Sequence, residues 1–435
     1  MRIKTIKPFA SFMLMIVSLC GMAAGDDYSR TALVYEDHIY TPNIKTVRFY
    51  FNGWETGFPA IRLKSDEKMN FGFDDFDNDY KTYNYTVVHC DASWNPTNIT
   101  PSDYIEGYTE DQISDIKRSF NTIQQYTHYH IQLPTEVLKI TKSGNYLLKV
   151  FLNGDQEQLA ITRRFLVYEE EVDILFDIHP ATLNEYRFLK QEVDFKIFSN
   201  YYKINDPLND LKVVLMQNDR FDTKVEGLKP VFIRDKELDY SYDEENTFNG
   251  GKEFRYFNVQ GLRSPDIRIN KIRVDSNNVS HIHLYNDDKR GFKRYAFEKD
   301  INGKFIIKTT LGDTPDTDAD YVYVYFYLMS DAPLSDDDVY LFGAFTDWQC
   351  KQEYKMVYDA AFKGYRAVLF LKQGFYNYEY VVKSPKMKLP DNTLTEGNRF
   401  ETENDYSIMV YHQPIGIFYD RLIAYKKVKS NATKP

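Results

Sequence analysis

The sequence predicts an all-β protein built of tandem β-sandwich domains, and three observations point there. Apolar and polar residues alternate at period two along most of the chain. Stretches with helical period are nearly absent. Gly, Asn, Asp and Pro recur so as to leave runs of strand length between them. The clearest run is Tyr321 to Leu328, with Tyr321, Tyr323, Tyr325 and Tyr327 on one side and Val322, Val324, Phe326 and Leu328 on the other.

The same alternation predicts strands at 46–52, 83–90, 126–133, 145–153 and 162–168, then at 192–199, 211–218, 254–259 and 270–275. Further strands follow at 304–309, 321–328, 340–343, 365–371 and 376–383. A chain of 435 residues is too long for one core. The acidic run Glu169 to Glu171 and the Pro- and Asp-rich stretch 312–320 are the natural breaks. They divide the chain into sandwiches at 26–170, 171–315 and 316–425, followed by a polar tail at 426–435.

Residues 1–25 read as a secretory signal. Arg2, Lys4 and Lys7 precede an apolar run from Phe12 to Cys20, and the small residues Ala23, Ala24 and Gly25 follow. That run is too short to span a bilayer. A lipoprotein anchor at Cys20 is the competing reading, but Leu19 stands where a small residue is usual. No later segment is apolar enough for a spanning helix, and mean hydropathy is −0.53. A membrane β-barrel fits poorly, because the chain ends in a polar tail and its strands carry charges on both faces. The expectation is a soluble periplasmic protein, with no nucleic-acid partner, since the net charge is −10.

Chemistry-bearing clusters are few. His128 with His130, and His281 with His283, share strand faces, yet neither pair has a third metal ligand at suitable spacing. They read as half-exposed strand histidines. Asp75, Asp77 and Asp79, and likewise Asp316, Asp318 and Asp320, resemble the start of a calcium loop. The required glycine is replaced by Tyr80 and Tyr321, so both read as solvated turns. Sequons at Asn84, Asn98 and Asn278 matter only in a eukaryotic secretory pathway. Cys90 and Cys350 lie too far apart in sequence to predict a disulfide. Neither a G-x-S-x-G elbow nor a phosphate-cradling glycine loop is present. A non-enzymatic protein without cofactor or metal is therefore expected.

Near the end, Leu341-Phe342-Gly343-Ala344-Phe345-Thr346-Asp347-Trp348 precedes Gln373-Gly374-Phe375-Tyr376-Asn377-Tyr378-Glu379-Tyr380. This resembles the early-set immunoglobulin-like modules of glycogen-binding and branching proteins, over about 90 residues. In sugar-binding members the turn tryptophan stacks on glucose, and Trp348 holds that place. Their second tryptophan is missing here, and closing the sandwich core is the competing role for Trp348. The resemblance completes the predicted fold class as tandem immunoglobulin-like and early-set β-sandwiches.

The chain as a whole resembles the plug proteins of the bacterial type IX secretion system. The carriers are Asn43-Ile44-Lys45-Thr46-Val47, Gly57-Phe58-Pro59, Tyr83-Asn84-Tyr85, His89-Cys90-Asp91-Ala92-Ser93-Trp94 and Tyr104-Ile105-Glu106-Gly107-Tyr108. Ser119-Phe120-Asn121-Thr122, Tyr126-Thr127-His128-Tyr129, Ser143-Gly144-Asn145-Tyr146, Glu401-Thr402-Glu403-Asn404-Asp405-Tyr406 and Tyr419-Asp420-Arg421-Leu422-Ile423 complete them. The resemblance implies a periplasmic protein that closes the mouth of the outer-membrane translocon barrel while no cargo is exported. With 36 Tyr and 31 Phe, a broad polar-aromatic contact face is within reach. Trp54 with Phe58, and Trp94 with Tyr104 and Tyr108, sit in turn-rich stretches and are the candidate partner contacts. Packing across the sandwich mouths is their competing role. The alternative function is a carbohydrate-binding accessory using Trp348.

Overall fold

The computed structural model describes Tyr28 and residues 32–334 and 337–430. The expected signal at 1–25 lies outside them, as do residues 431–435. The chain is nearly all β, with 44% strand and 4% helix. Its strands pack as sandwiches around three main cores.

The first core draws on residues 44 to 167. One sheet orders Ile44–Phe51, Met69–Asp75, Thr127–Leu133 and Asp115–Arg118. The facing sheet is built on Leu159–Tyr168, Gly144–Leu152 and Tyr83–Cys90. Met69–Asp75 is buried at every position. Phe71 and Phe73 fill the core, while Asn70, Gly72 and Asp74 face the other way and are buried as well. A Cβ at Gly72 would meet the His128 ring at 3.2 Å, so glycine there leaves room for that imidazole.

The other two sandwiches do not follow one another. Leu211–Gln217 pairs with Asp405–His412, which pairs with Arg421–Lys429. These strands close over Asp173–Pro180 and Lys190–Phe198, and one core runs from Val172 to Ala424. Between them sits the third sandwich, whose core runs from Phe257 to Tyr380. Arg255–Asn258 and Phe305–Ile307 both pair with Gly374–Lys383, and Ser280–Leu284 pairs in parallel with Tyr321–Met329. The boundary expected at 315 is therefore not where the cores part. Strands on both sides of it share one core, and residues beyond 400 return to the middle sandwich. The polar tail expected from Lys426 begins inside strand Arg421–Lys429. There Lys426 donates to the Ile174 carbonyl at 2.7 Å and Lys427 to the Asp219 carboxylate at 2.7 Å, so polar residues complete the sheet.

Tyr321–Met329 alternates as expected, with Val322, Val324, Phe326 and Leu328 buried and Tyr323 exposed. Tyr321 departs from the pattern because the first sandwich covers it. Its hydroxyl donates to Asp74 Oδ2 at 2.7 Å. The same oxygen accepts from Lys372 Nζ at 2.6 Å, and Oδ1 lies 2.7 Å from His128 Nδ1. Asp74 and Lys372 are both sealed from water. Burial alone would raise the Asp74 carboxyl, but Lys372 and His128 hold it below the usual carboxylate range. Arg48 pairs with Asp316 beside this cluster. His128 is thus a buried partner rather than a half-exposed residue. Asp75 is also fully buried, so the expected solvated turn is a corrected reading. Lys81 sits among Asp75, Asp77 and Asp79, 2.9 Å from Asp75 and 3.8 Å from Asp79.

In the third sandwich, Glu396 accepts from Arg255 at 3.0 Å and from Arg290 at 2.5 Å. Burial pushes its carboxyl up, but the two guanidiniums prevail and hold it at about 2. The carboxyl's ordinary value is near 4.5. Its contribution to stability is therefore complete above that pH and is lost as pH falls toward 2. Glu396→Gln should be less stable than the parent near neutrality, with the gap closing between pH 4.5 and 2 in thermal scans followed by circular dichroism. Asp74→Ala strands the Lys372 ammonium and should cost about 3–5 kcal/mol in urea denaturation. The double replacement Asp74→Leu/Lys372→Met should cost much less.

Candidate functional site: aromatic surfaces and the cleft between sandwiches

The five candidate contacts divide into two groups. Trp94 is 7% exposed and Tyr104 is 3% exposed. Trp94 joins Ala60, Cys90, Leu166, Val214, Met216 and Tyr411 in an apolar cluster between the first and middle sandwiches, and Phe58 packs against it. Phe58 meets Phe221 and Tyr425, and Trp94 meets Phe221 edge-on at 5.4 Å. The partner of Phe58 and Trp94 is this same chain. Tyr104 is inside the first core, its hydroxyl donating to the Val87 carbonyl at 3.2 Å. Only Trp54, at 54%, and Tyr108, at 68%, are exposed.

Local chemistry explains the difference. The Asp91 carboxylate accepts from the Ser93 and Asn95 backbone N–H groups, each at 2.9 Å, forming a tight turn. That turn sets Trp94 at a φ of 68°, a conformation bulky residues seldom adopt, and it drives the indole into the cluster. Trp54 sits in the turn after Ile44–Phe51, where its N–H donates to the Phe51 carbonyl at 3.0 Å. Nothing in that turn folds the indole inward.

A cleft of about 350 Å³ opens where the three sandwiches meet. Phe58 and Trp348, singled out for different reasons, both line it. Its charges are already matched. Arg48 faces Asp316 and Glu55, Arg163 faces Asp347 at 3.2 Å, and Lys304 pairs with Asp219. Arg220 lies over the Trp348 ring at 4.9 Å, and Phe254 and Phe342 pack edge-on against it. The indole thus serves packing on one face, as the core-closing role requires. A second cleft of about 340 Å³ holds Glu379, which burial pushes up to about 7. Arg220 sits between it and Asp222, 3.5 Å from Glu379 and 2.7 Å from Asp222, and Asp391 accepts from the Thr393 N–H. No acid–base pair forms between them.

The outer sheet of the third sandwich carries a half-open aromatic face. Tyr323, Tyr325 and Tyr327 project outward beside His281 and His283. His281 stacks on Tyr323 at 5.1 Å and His283 on Tyr325 at 4.3 Å. His281 Nδ1 lies 2.8 Å from the Tyr325 hydroxyl, and His283 Nδ1 lies 2.7 Å from that of Tyr327. Burial lowers His283 to about 4, so the imidazole is neutral at ordinary pH.

Residues 44–169, which span the first sandwich, match the family model described as the type 9 secretion system plug protein first domain. The chain belongs to the type IX secretion plug family. A crystal structure of a hypothetical protein from Parabacteroides merdae is 31% identical, with a TM-score of 0.87. That similarity covers 92% of this chain and 100% of the other. A trypsin-activated alpha-2-macroglobulin from Escherichia coli aligns at 11% identity over 88% of this chain and 28% of that one, with a TM-score of 0.17, too loose to inform. No curated protein matches. Plug-family membership ties the chain to type IX secretion, and the family is not a known enzyme family. Among the described residues no helix is long and apolar enough to cross a membrane.

The plug-family signature strings thus mix interior and surface. Trp94→Ala should lower stability by about 3–5 kcal/mol by emptying the cluster between sandwiches. Tyr108→Ala should stay within about 0.5 kcal/mol of the parent. Chemical denaturation of the two variants checks both values.

Proposed function

We propose that this protein is a non-enzymatic periplasmic plug, closing the periplasmic opening of the type IX outer-membrane translocon when no cargo is being exported. The observation that carries this reading is the plug-domain match over residues 44–169, on a chain whose candidate clefts hold matched charges rather than reactive groups. The mechanism is steric. A plug must keep its shape, dock reversibly and withdraw when cargo arrives, so a wet, moderate interface suits it better than an obligate apolar one. Exposed aromatics give contact area at low entropic cost. On this reading Trp54 and Tyr108 touch the barrel, and Phe120, 72% exposed, is a further contact from the same sandwich. Trp94, Tyr104 and Phe58 act indirectly, by holding the loops that present them.

The carbohydrate-binding alternative has less support, because Arg220 already occupies space over Trp348. Affinity purification from outer membranes separates the two readings. A plug brings down a very large barrel protein, and Trp54→Ala/Tyr108→Ala should reduce that recovery without changing thermal stability. Recovery of the protein alone, with glucan retention lost in Trp348→Ala, would favour the alternative. Deleting the gene while the barrel is still made should leave cells leaky to large hydrophilic compounds such as vancomycin. Unchanged sensitivity would count against the proposal.

A further inference from the structure

The middle sandwich carries three metal-ligating side chains on one sheet face. His179 lies on strand Asp173–Pro180, and Glu192 and Asp194 lie on its neighbour Lys190–Phe198. His179 stands opposite Glu192 in the register, and Glu192 and Asp194 are two residues apart, so all three project to the same side. His179 Nε2 is 3.3 Å from Asp194 Oδ2 and 3.7 Å from Glu192 Oε1. The three ligand atoms all lie within 4.8 Å of one another. Metal–ligand bonds of about 2.1 Å place adjacent ligands roughly 3.0–3.5 Å apart, so a small contraction would bring this trio onto one ion.

Groups outside the trio aim it. The Asp194 carboxylate at Nε2 and the Pro180 carbonyl, 2.9 Å from Nδ1, raise the His179 imidazole to about 9, so both ring nitrogens donate and zinc would take the place of the Nε2 proton. Asp194 Oδ1 accepts from the Asn246 amide at 2.9 Å and the Tyr242 N–H at 3.2 Å, leaving Oδ2 toward the imidazole. Glu192, 2% exposed, accepts from the Thr182 N–H at 2.7 Å and hydroxyl at 3.0 Å. Asn246 is itself fully buried and anchored by a second hydrogen bond to the Val193 carbonyl at 2.8 Å. Fixed second partners of this kind orient ligands before an ion arrives. His179 keeps an exposed edge, so water can complete the coordination.

We propose that His179, Glu192 and Asp194 form a divalent-cation site that takes zinc, with one imidazole, two carboxylates and solvent as ligands. The mixed nitrogen and oxygen set suits zinc better than calcium or magnesium, which favour all-oxygen cages. The ion would clasp the outer strand of the sheet to its neighbour, a structural role independent of the proposed plugging.

Isothermal titration of the chelator-treated, purified protein with zinc chloride tests this, alongside calcium chloride and a cobalt absorption spectrum. Expected are one zinc per chain, a rise in melting temperature on zinc addition, and a cobalt spectrum of an imidazole–carboxylate site. In His179→Gln and Asp194→Asn, affinity should fall about 100-fold or more and the melting shift should vanish. Near-UV circular dichroism confirms that the variants are folded; if one is not, Asn246→Ala, which leaves all three ligands in place, should weaken zinc about 10-fold or more. Absence of binding and of any melting shift in the folded parent overturns the site. So does zinc affinity that is undiminished in the variants. Both outcomes leave the barrel co-purification result untouched.

Discussion

Asp74 has no contact with solvent, and the groups that neutralise it come from two sandwiches. His128 belongs to its own sheet, while Lys372 and Tyr321 reach in from the third sandwich. A buried ion pair contributes little net stability, because desolvation offsets most of its attraction, but separating its members is costly. A shift of a few ångströms between the two bodies would leave both charges buried and unmatched. Arg48 with Asp316 repeats the constraint beside it. This contact therefore sets the relative orientation of two sandwiches that need not otherwise share a core.

The three junctions use different chemistry. The first and middle sandwiches meet through the apolar cluster around Trp94, Met216 and Tyr411. Two polar pins accompany it, Tyr411 to Asn145 at 2.7 Å and the Ala92 N–H to Asp420 at 2.9 Å. The middle and third meet at Asp219, held by Lys304 from one side and Lys427 from the other. Apolar burial supplies area, and the matched charges supply register. A stopper that must keep its outline while docking reversibly gains from that division. Much of the aromatic content predicted to face a partner is used here instead, to join the chain to itself.

Strand positions were largely legible in the sequence because period-two alternation reflects one wet and one dry face. The sequence was silent where that contrast fails. Met69–Asp75 alternates apolar Met69, Phe71 and Phe73 with Asn70, Gly72 and Asp74, but both faces are buried, so its pattern did not disclose that Asp74 is sealed from water. The adjacent carboxylates Asp74 and Asp75 following Phe71 and Phe73 were the available clue. Pairing was harder to read than position. Nothing local in Leu211–Gln217 indicates that its neighbour is Asp405–His412, nearly two hundred residues on, so consecutive sandwiches were expected in place of an inserted one. The aromatic candidates show the same limit. Trp94 and Trp54 occupy similar turn-rich surroundings in sequence, and only the turn geometry and the presence of a facing sandwich send one inside.

The insertion of the third sandwich has a consequence for the order in which the chain can be completed. Leu211–Gln217 is made long before Asp405–His412 and Arg421–Lys429, so one sheet of the middle sandwich has an open edge until those two strands emerge. The inserted unit, whose strands all lie between them, can close first. Its two ends are then brought near each other, shortening the loop that the late strands must bridge. The middle sandwich is thus sealed after the unit inserted in it, although its first strand precedes that unit by some eighty residues.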